Sequence, residues 1–179
     1  VKIYRLKLEI QPSDFHFTRS ALDSKDRIAF IYGKKITSVN EANIKGENTR
    51  EKKSDLIGTG DSVYFVSEKL KNILTSHISE EDVYFLPQVI YGDDYYLLNI
   101  TGLKECMDLE NSTYSTFENG MPDEITKLVL EEDKIEAYAI FRIKEKPLHI
   151  FVTEKLKKSL EEHNCTGILF MDSMDLTFG

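Results

Sequence analysis

Cysteine is scarce: Cys106 and Cys165 are the only two in 179 residues, too few for a disulfide framework or a paired zinc site. No apolar run is long enough to cross a bilayer. The first residues lack the basic, hydrophobic and small-residue succession of an export signal, so a reduced, cytoplasmic location is the expectation. Bases are outnumbered, 23 Lys and Arg against 31 Asp and Glu, for a formal charge of −8; this disfavours nucleic acid and anionic membranes as general partners. The four histidines, His16, His77, His149 and His163, show no short metal-ligand spacing, and the acids do not form a spaced calcium loop. Gly58-Thr-Gly60-Asp61 has neither the glycine spacing nor the following lysine of a phosphate loop and reads as a turn. His163 and Cys165 are two apart at a helix end and face different ways, a poor base and nucleophile. Neither cofactor nor metal is expected.

What is present begins with a phrase written twice. Phe65-Val-Ser-Glu-Lys-Leu-Lys-Asn-Ile-Leu-Thr-Ser-His77 returns as Phe151-Val-Thr-Glu-Lys-Leu-Lys-Lys-Ser-Leu-Glu-Glu-His163, identical at eight of thirteen positions. Each copy reads as the end of an apolar strand that turns at a hydroxyl, Ser67 or Thr153, placed to cap a helix. Glu68 and Glu154 then fall in the first helical turn, where the helix dipole favours a negative charge. Leu70, Ile73 and Leu74 make one apolar face, and Leu156 and Leu160 the other. Each is followed by another largely apolar run, Val83–Pro87 and Gly167–Met171. Strand, capped helix, strand is therefore expected twice, near 61–90 and 147–171, through duplication or through convergence on one helix vocabulary.

The remaining pattern is mostly strand-like. Lys2–Ile10 alternates apolar and charged residues and reads as a half-buried strand. Ile28–Tyr32, Cys106–Leu109, Ile125–Leu130 and Ile135–Ile143 read as further strands, the last two joined by an acidic turn, Glu131–Asp133. Val83–Ile90 and Tyr95–Ile100 read as a hairpin around Gly92-Asp-Asp. Asn40–Ser54 is polar and reads as a mobile loop, and Asn111–Glu124 as turns. The expected fold class is α+β, a mixed or mostly antiparallel sheet with two short helices. Residues 1–57 would form N-terminal strands and a flexible loop packed on a main domain at 58–179.

Charge is unevenly placed. Residues 105–136 hold ten acids and two bases, so this stretch carries the whole excess of −8 and the rest of the chain sums to zero. Acids in turns commonly form a solvated face; as a partner surface they would suit a basic protein.

Five short stretches in order carry a resemblance: Tyr95-Tyr-Leu-Leu-Asn99, Cys106-Met-Asp-Leu-Glu-Asn-Ser112, Ile140-Phe-Arg-Ile143, Phe151-Val-Thr-Glu-Lys-Leu156 and Thr166-Gly-Ile-Leu-Phe170. Together, across about 61–171, they resemble the Imm11 family, immunity proteins of bacterial polymorphic toxin systems. The resemblance implies a non-enzymatic protein that binds and blocks a cognate toxin. The best-matching positions are Asn99, Asp108, Ser112, Phe141 and Arg142, none with an implied catalytic role. If the toxin is a basic nuclease, the expected docking face includes Glu118, Asp123, Glu124, Glu131, Glu132 and Asp133. Two other classes compete: a hydrolase or nucleotide-handling enzyme with a site assembled from distant residues, and an interaction domain of a larger protein. A deep pocket with converging titratable groups would favour the enzyme; an open acid-rimmed face favours the binder.

Overall fold

The computed structural model describes residues 1–47, 52–59, 61–79 and 81–172. In chain order these form β1 (Ile3–Leu8), β2 (His16–Phe17), α1 (Ser24–Ile31), a 3-10 turn (Glu41–Asn43), β3 (Gly46–Glu47), β4 (Leu56–Gly58), β5 (Tyr64–Ser67), α2 (Glu68–Thr75), β6 (Val83–Ile90) and β7 (Asp93–Ile100). They continue with β8 (Thr113–Thr116), β9 (Pro122–Lys127), α3 (Glu132–Ile135), β10 (Ile140–Ile143), β11 (Lys146–Thr153), α4 (Glu154–Glu162) and β12 (Ile168–Asp172). The fold is mixed α/β with antiparallel sheets and, among the described residues, four α-helices.

One four-stranded sheet has the order β4-β5-β7-β6 and the other β10-β11-β1-β12, and every pairing within them is antiparallel. Two-stranded ribbons β2-β3 and β8-β9 complete the set. The alternation of strand side chains sorts the apolar residues into three cores. Val66, Leu98 and Ile100 of the first sheet and Leu6, Ile150 and Val152 of the second share the central core with Leu70 and Leu74 of α2 and Leu156 and Leu160 of α4. On the opposite side of the first sheet, Phe65 and Leu97 receive Phe15, Phe17, Phe30 and Ile36 from the N-terminal segment. On the opposite side of the second, Ile3, Phe141 and Phe151 receive Met107, Ile125, Leu128 and Ile135. Each sheet is thus covered on both faces.

Several sequence expectations are corrected. Residues 28–31 finish helix α1 and are not strand: Ile28 is 58% exposed while Phe30 is fully buried, so one face of the run meets the core and a helix satisfies it. Glu131–Asp133 is not a hairpin turn. Glu131 is the N-cap position of α3, with Glu132 and Asp133 in its first turn, where helix N–H groups favour acids. The strand expected from Ile135 therefore starts only at Ile140. The strand expected at Ile125–Leu130 lies earlier, at Pro122–Lys127, and pairs with β8 inside a stretch read as turns. Cys106–Leu109 contributes a single bridge, Met107 to Leu130. β1 is not half-buried in the alternating sense: it is an interior strand, and Arg5 is 5% exposed. The β6–β7 turn is tighter than read, held by Tyr91 and Gly92 at φ 47° and 86°. Of the polar loop 40–54, residues 48–51 lie outside the described residues, and the rest includes the 3-10 turn and β3.

Candidate functional site

The five family-pattern residues are all tied into the scaffold. Asn99 is fully buried in β7. Its Oδ1 accepts from the Ile36 N–H at 2.7 Å and its Nδ2 donates to the Lys34 carbonyl at 3.2 Å, so one amide satisfies two backbone groups of the segment after α1. Asp108 Oδ1 accepts from the N–H groups of Glu110 and Asn111, each at 3.0 Å, and Oδ2 accepts from Asn111 Nδ2 at 2.7 Å. These donors hold its carboxyl below the usual carboxylate range. Ser112 Oγ donates to the Val129 carbonyl at 3.2 Å and accepts from the Val129 N–H at 2.9 Å, joining the two ends of the β8–β9 ribbon. Phe141 stacks on Phe151, ring centroids 5.9 Å apart.

Arg142 is fully buried and faces no carboxylate at ion-pair distance among the described residues. Its Nη1 donates to the Pro147 carbonyl at 2.6 Å and its Nη2 to the Ser62 carbonyl at 3.0 Å, and the guanidinium lies 5.3 Å from the centre of the Phe30 ring. Burial lowers its pKa to about 10, so the group stays charged at neutral pH. It joins β10, the β4–β5 turn and α1, a bridging role for a planar donor fork.

Ser67 Oγ accepts from the Leu70 N–H at 3.2 Å and Thr153 Oγ1 from the Leu156 N–H at 3.4 Å, so both hydroxyls cap their helices. Sequence reasoning missed Asp55. Its Oδ1 accepts from Ser67 Oγ at 2.7 Å and its Oδ2 from the Thr166 N–H at 2.9 Å. Desolvation raises its pKa, and the bonds from Ser67 and Thr166 with the charge of Lys69 outweigh it, so the net direction is down. No short motif marks such a residue; its partners lie 12 and 111 positions away.

The acids from the charge argument fall on two elements. Glu118 lies in the β8–β9 turn and Asp123 and Glu124 on β9, all exposed. Glu131 precedes α3 and pairs with Lys134 at 2.7 Å, while Glu132 and Asp133 are exposed in the first turn. Between ribbon and helix runs an open groove of about 690 Å³, bordered by Glu105, Asp108, Glu110, Glu131 and Glu145 with Lys134 and Lys144. Of the six expected residues, Glu131 alone lines it. Met107, Leu109, Met121 and Pro122 supply apolar lining. Leu109 is 51% exposed, Met121 45% and Phe117, at the ribbon tip, 54%. Sequence reasoning missed this apolar contribution and Glu145, whose Oε2 is buried without a hydrogen-bond partner and whose pKa burial raises. A run of acids read by charge alone gives no weight to the leucine and methionine between them.

The cysteines are set for packing. Burial pushes the Cys106 thiol up to about 12 and raises that of Cys165, away from the thiolate a nucleophile needs. Among the described residues no cluster of three or more His, Cys, Asp or Glu could hold a metal, and no helix is long and apolar enough to cross a membrane.

Two antiparallel sheets with two capped helices in their shared core, and an open groove rimmed by carboxylates, define a binding scaffold. The chain belongs to the Imm11 family of immunity proteins, whose family model matches residues 18–175. The match reaches back across α1 and β3 to residue 18, well before the residues that carried the resemblance in sequence. A search of curated proteins returned no match. The chain is an immunity protein, and its family implies a cognate toxin as partner.

Proposed function

We propose that this immunity protein neutralises its toxin by stoichiometric occlusion in the cytoplasm, docking a basic face of the toxin across the β8–β9 ribbon, the groove beside it and the start of α3. A nuclease suits that reading, because an enzyme that holds phosphates presents cationic side chains which carboxylates compete for. The observation that carries it is the groove: acids on its rim with Leu109 and Met121 at its lining. Glu118, Asp123, Glu124, Glu131, Glu132 and Asp133 extend the same sign of charge onto the ribbon and helix and act in steering. Attraction of that kind is screened within about 8 Å at physiological salt, whereas burying apolar anchors governs how long a complex lasts.

The test uses the product of the neighbouring gene as bait. Reversing Glu131, Glu132 and Asp133 together slows association and flattens the salt dependence of the on-rate; Leu109→Ala with Met121→Ala speeds dissociation. Unchanged association and dissociation with folded variants would send the toxin to another face.

We also infer that the two sheets descend from one strand–helix–strand unit written twice, on the boundaries 61–90 and 147–171. Three correspondences support the reading. In both sheets the strand before the helix is second in order, and the strand after it lies two places away. The N–H of Ser67 donates to the Asp55 carbonyl at 2.8 Å, and that of Thr153 to the Ala139 carbonyl at 3.0 Å. Both caps bond three residues ahead. With β1 inside the second sheet, the division at residue 57 is best taken as a boundary of sequence pattern: residues 58–179 carry both helical units, and 1–57 complete their sheets and covers.

A further inference from the structure

Asn119 is the one asparagine of the 179 residues that a glycine follows. It sits at the tip of the β8–β9 ribbon, where the Phe117 N–H donates to the Met121 carbonyl at 2.9 Å and closes a loop of Glu118, Asn119 and Gly120. Gly120 has φ 80°, the left-handed conformation that a loop of this length assigns to glycine. All three loop residues are exposed, and a Cβ built on Gly120 would meet nothing within 4 Å. Water therefore reaches the peptide between Asn119 and Gly120, and no side chain shields its nitrogen.

The asparagine side chain is folded back along that peptide. Its Oδ1 accepts from the Met121 N–H at 3.1 Å, which keeps the side-chain amide beside the Gly120 nitrogen and polarises the Cγ carbonyl in the direction that stabilises an oxyanion. One restraint opposes attack: the Gly120 N–H donates to the Phe117 carbonyl at 2.8 Å. That bond belongs to an exposed turn at the end of a two-stranded ribbon, the kind of element that opens locally at small cost. Other asparagines are placed differently. Asn43 and Asn99 are buried. Asn111 is exposed, but Ser112 follows it and its Nδ2, the group that would have to leave, donates to Asp108 Oδ2 at 2.7 Å.

We propose that Asn119 is a site of spontaneous covalent modification, losing its side-chain amide through a cyclic imide formed with Gly120. The Gly120 nitrogen gives its proton to hydroxide and attacks Cγ of Asn119. The new N–Cγ bond closes a five-membered ring, the Cγ–Nδ2 bond breaks, and Nδ2 takes a proton from water and leaves as ammonia. Water then adds to one of the two imide carbonyls. Breaking the N–Cγ bond restores the main chain with an aspartate; breaking the bond to the backbone carbonyl carbon leaves an isoaspartate, with the chain running through Cγ. Nothing is oxidised or reduced, and the net change is amide plus water to carboxylate plus ammonia. Either product adds a negative charge beside Glu118, and the isoaspartyl product also adds a carbon to the backbone of the loop that Phe117 and Met121 close. The chemistry does not depend on where the toxin docks.

The experiment ages the full chain in mildly alkaline buffer at physiological temperature, folded and, in parallel, unfolded by urea. Trypsin releases residues 105–127 as one peptide that holds both Asn111 and Asn119, and fragmentation in the mass spectrometer reads the two positions separately. In the folded chain Asn119 is expected to gain a single mass unit at least about tenfold faster than Asn111, at a rate that rises with hydroxide, and to give aspartyl and isoaspartyl products that separate by chromatography. Asn119→Gln, which would need a six-membered ring, is expected to keep its amide over the same period. Conversion at Asn119 in urea but not in the folded chain, equal conversion at Asn111, or an aspartyl product alone overturns the proposal.

Discussion

The first sheet with α2 and the second sheet with α4 solve one problem with different side chains. Where β4 begins, Asp55 links the α2 cap to the loop after α4: its carboxylate accepts from Ser67 and Thr166, and the Leu56 N–H donates to the Thr166 carbonyl at 3.1 Å. The corresponding corner of the second sheet has Ala139, whose carbonyl takes the Thr153 N–H but whose methyl group latches nothing. A cleft of about 440 Å³ lies there, lined by His77, Tyr138, Ala139, Thr153 and Lys155 among others. Three positions further on the contrast reverses. Ile57 pairs with Phe65 and Phe141 with Phe151, which aligns Gly58 with Arg142. A Cβ on Gly58 would lie 2.4 Å from the Val63 carbonyl oxygen, so that corner has no room for a side chain. Arg142 reaches from the other sheet to the carbonyl of Ser62 in the same turn. Places that correspond in the registers of the two sheets thus divide the work: one sheet supplies the polar latch, the other the buried cation.

The largest effect that would break this comparison is at Arg142. Arg142→Ala removes a fully buried side chain and leaves two carbonyls without their donor, so the loss of stability is expected at roughly 3–5 kcal/mol, the range for large-to-small core changes and stranded polar groups. Urea titration measures it; a midpoint within error of the parent would mean that the bridge contributes nothing. Gly58→Ala tests the other half of the exchange. Its clash is with backbone, and a cost of about 1–3 kcal/mol is expected.

Asp55 comes next. Asp55→Ala removes charged acceptors from Ser67 and Thr166 and is expected to cost about 1–3 kcal/mol, with no counterpart at Ala139. Its pH dependence has a definite sign. The folded-state pKa is lowered, so the contribution is present above the unfolded carboxylate value of about 3.9 and is lost as pH falls through the lower folded value. The parent's acid destabilisation should therefore shrink in Asp55→Asn, read as the difference between midpoints near neutrality and at acid pH. Equal pH slopes in the two proteins would remove Asp55 as the source.

How much of this was legible beforehand follows from range. The two caps, their helices and the strands around them were readable because each signal spans fewer than about fifteen residues: a hydroxyl, an acid in the first turn, leucines at helical spacing. The order β10-β11-β1-β12 was not, because β1 meets partners more than 140 positions away. α1 was misread because a run such as Ile28–Ile31 has no period to tell helix from strand. Charge located the acidic segment but not the groove, since Leu109, Met121 and Glu145 join it only through the folded ribbon. Asn99 and Arg142 were visible as positions but not as roles, and the roles lie in carbonyls of distant turns.

Smaller effects sharpen the comparison. Ser67→Ala and Thr153→Ala each remove a cap, worth typically about 1 kcal/mol. Ser67 should cost more, because its hydroxyl also donates to Asp55, and the excess should vanish in an Asp55→Ala background. A double-mutant cycle reads that coupling. Equal single losses and no coupling would separate the cap from the latch.

The smallest expected effect is the most direct test of duplication. In the first unit β6 and β7 are joined by the hairpin at Tyr91–Gly92; in the second, β12 and β1 are antiparallel neighbours, with Tyr4 opposite Asp172, but are far apart in the chain. If both units descend from one plan, the second needs no opening there and the first needs no closure at its turn. A circular permutant that links the segment after Asp172 to Val1 and opens the chain between Tyr91 and Gly92 preserves every strand neighbour and exchanges the connectivity of the two units. Moving the termini alters chain entropy, which changes only slowly with loop length, so the permutant is expected to fold cooperatively with little loss of stability. Opening the chain instead within β11, between the fully buried Ile150 and Phe151, cuts an interior strand and should abolish folding. Failure of the first permutant under conditions where the parent folds would show that the hairpin at Tyr91–Gly92 is required as a covalent link, and the two units would then be alike in arrangement without being interchangeable.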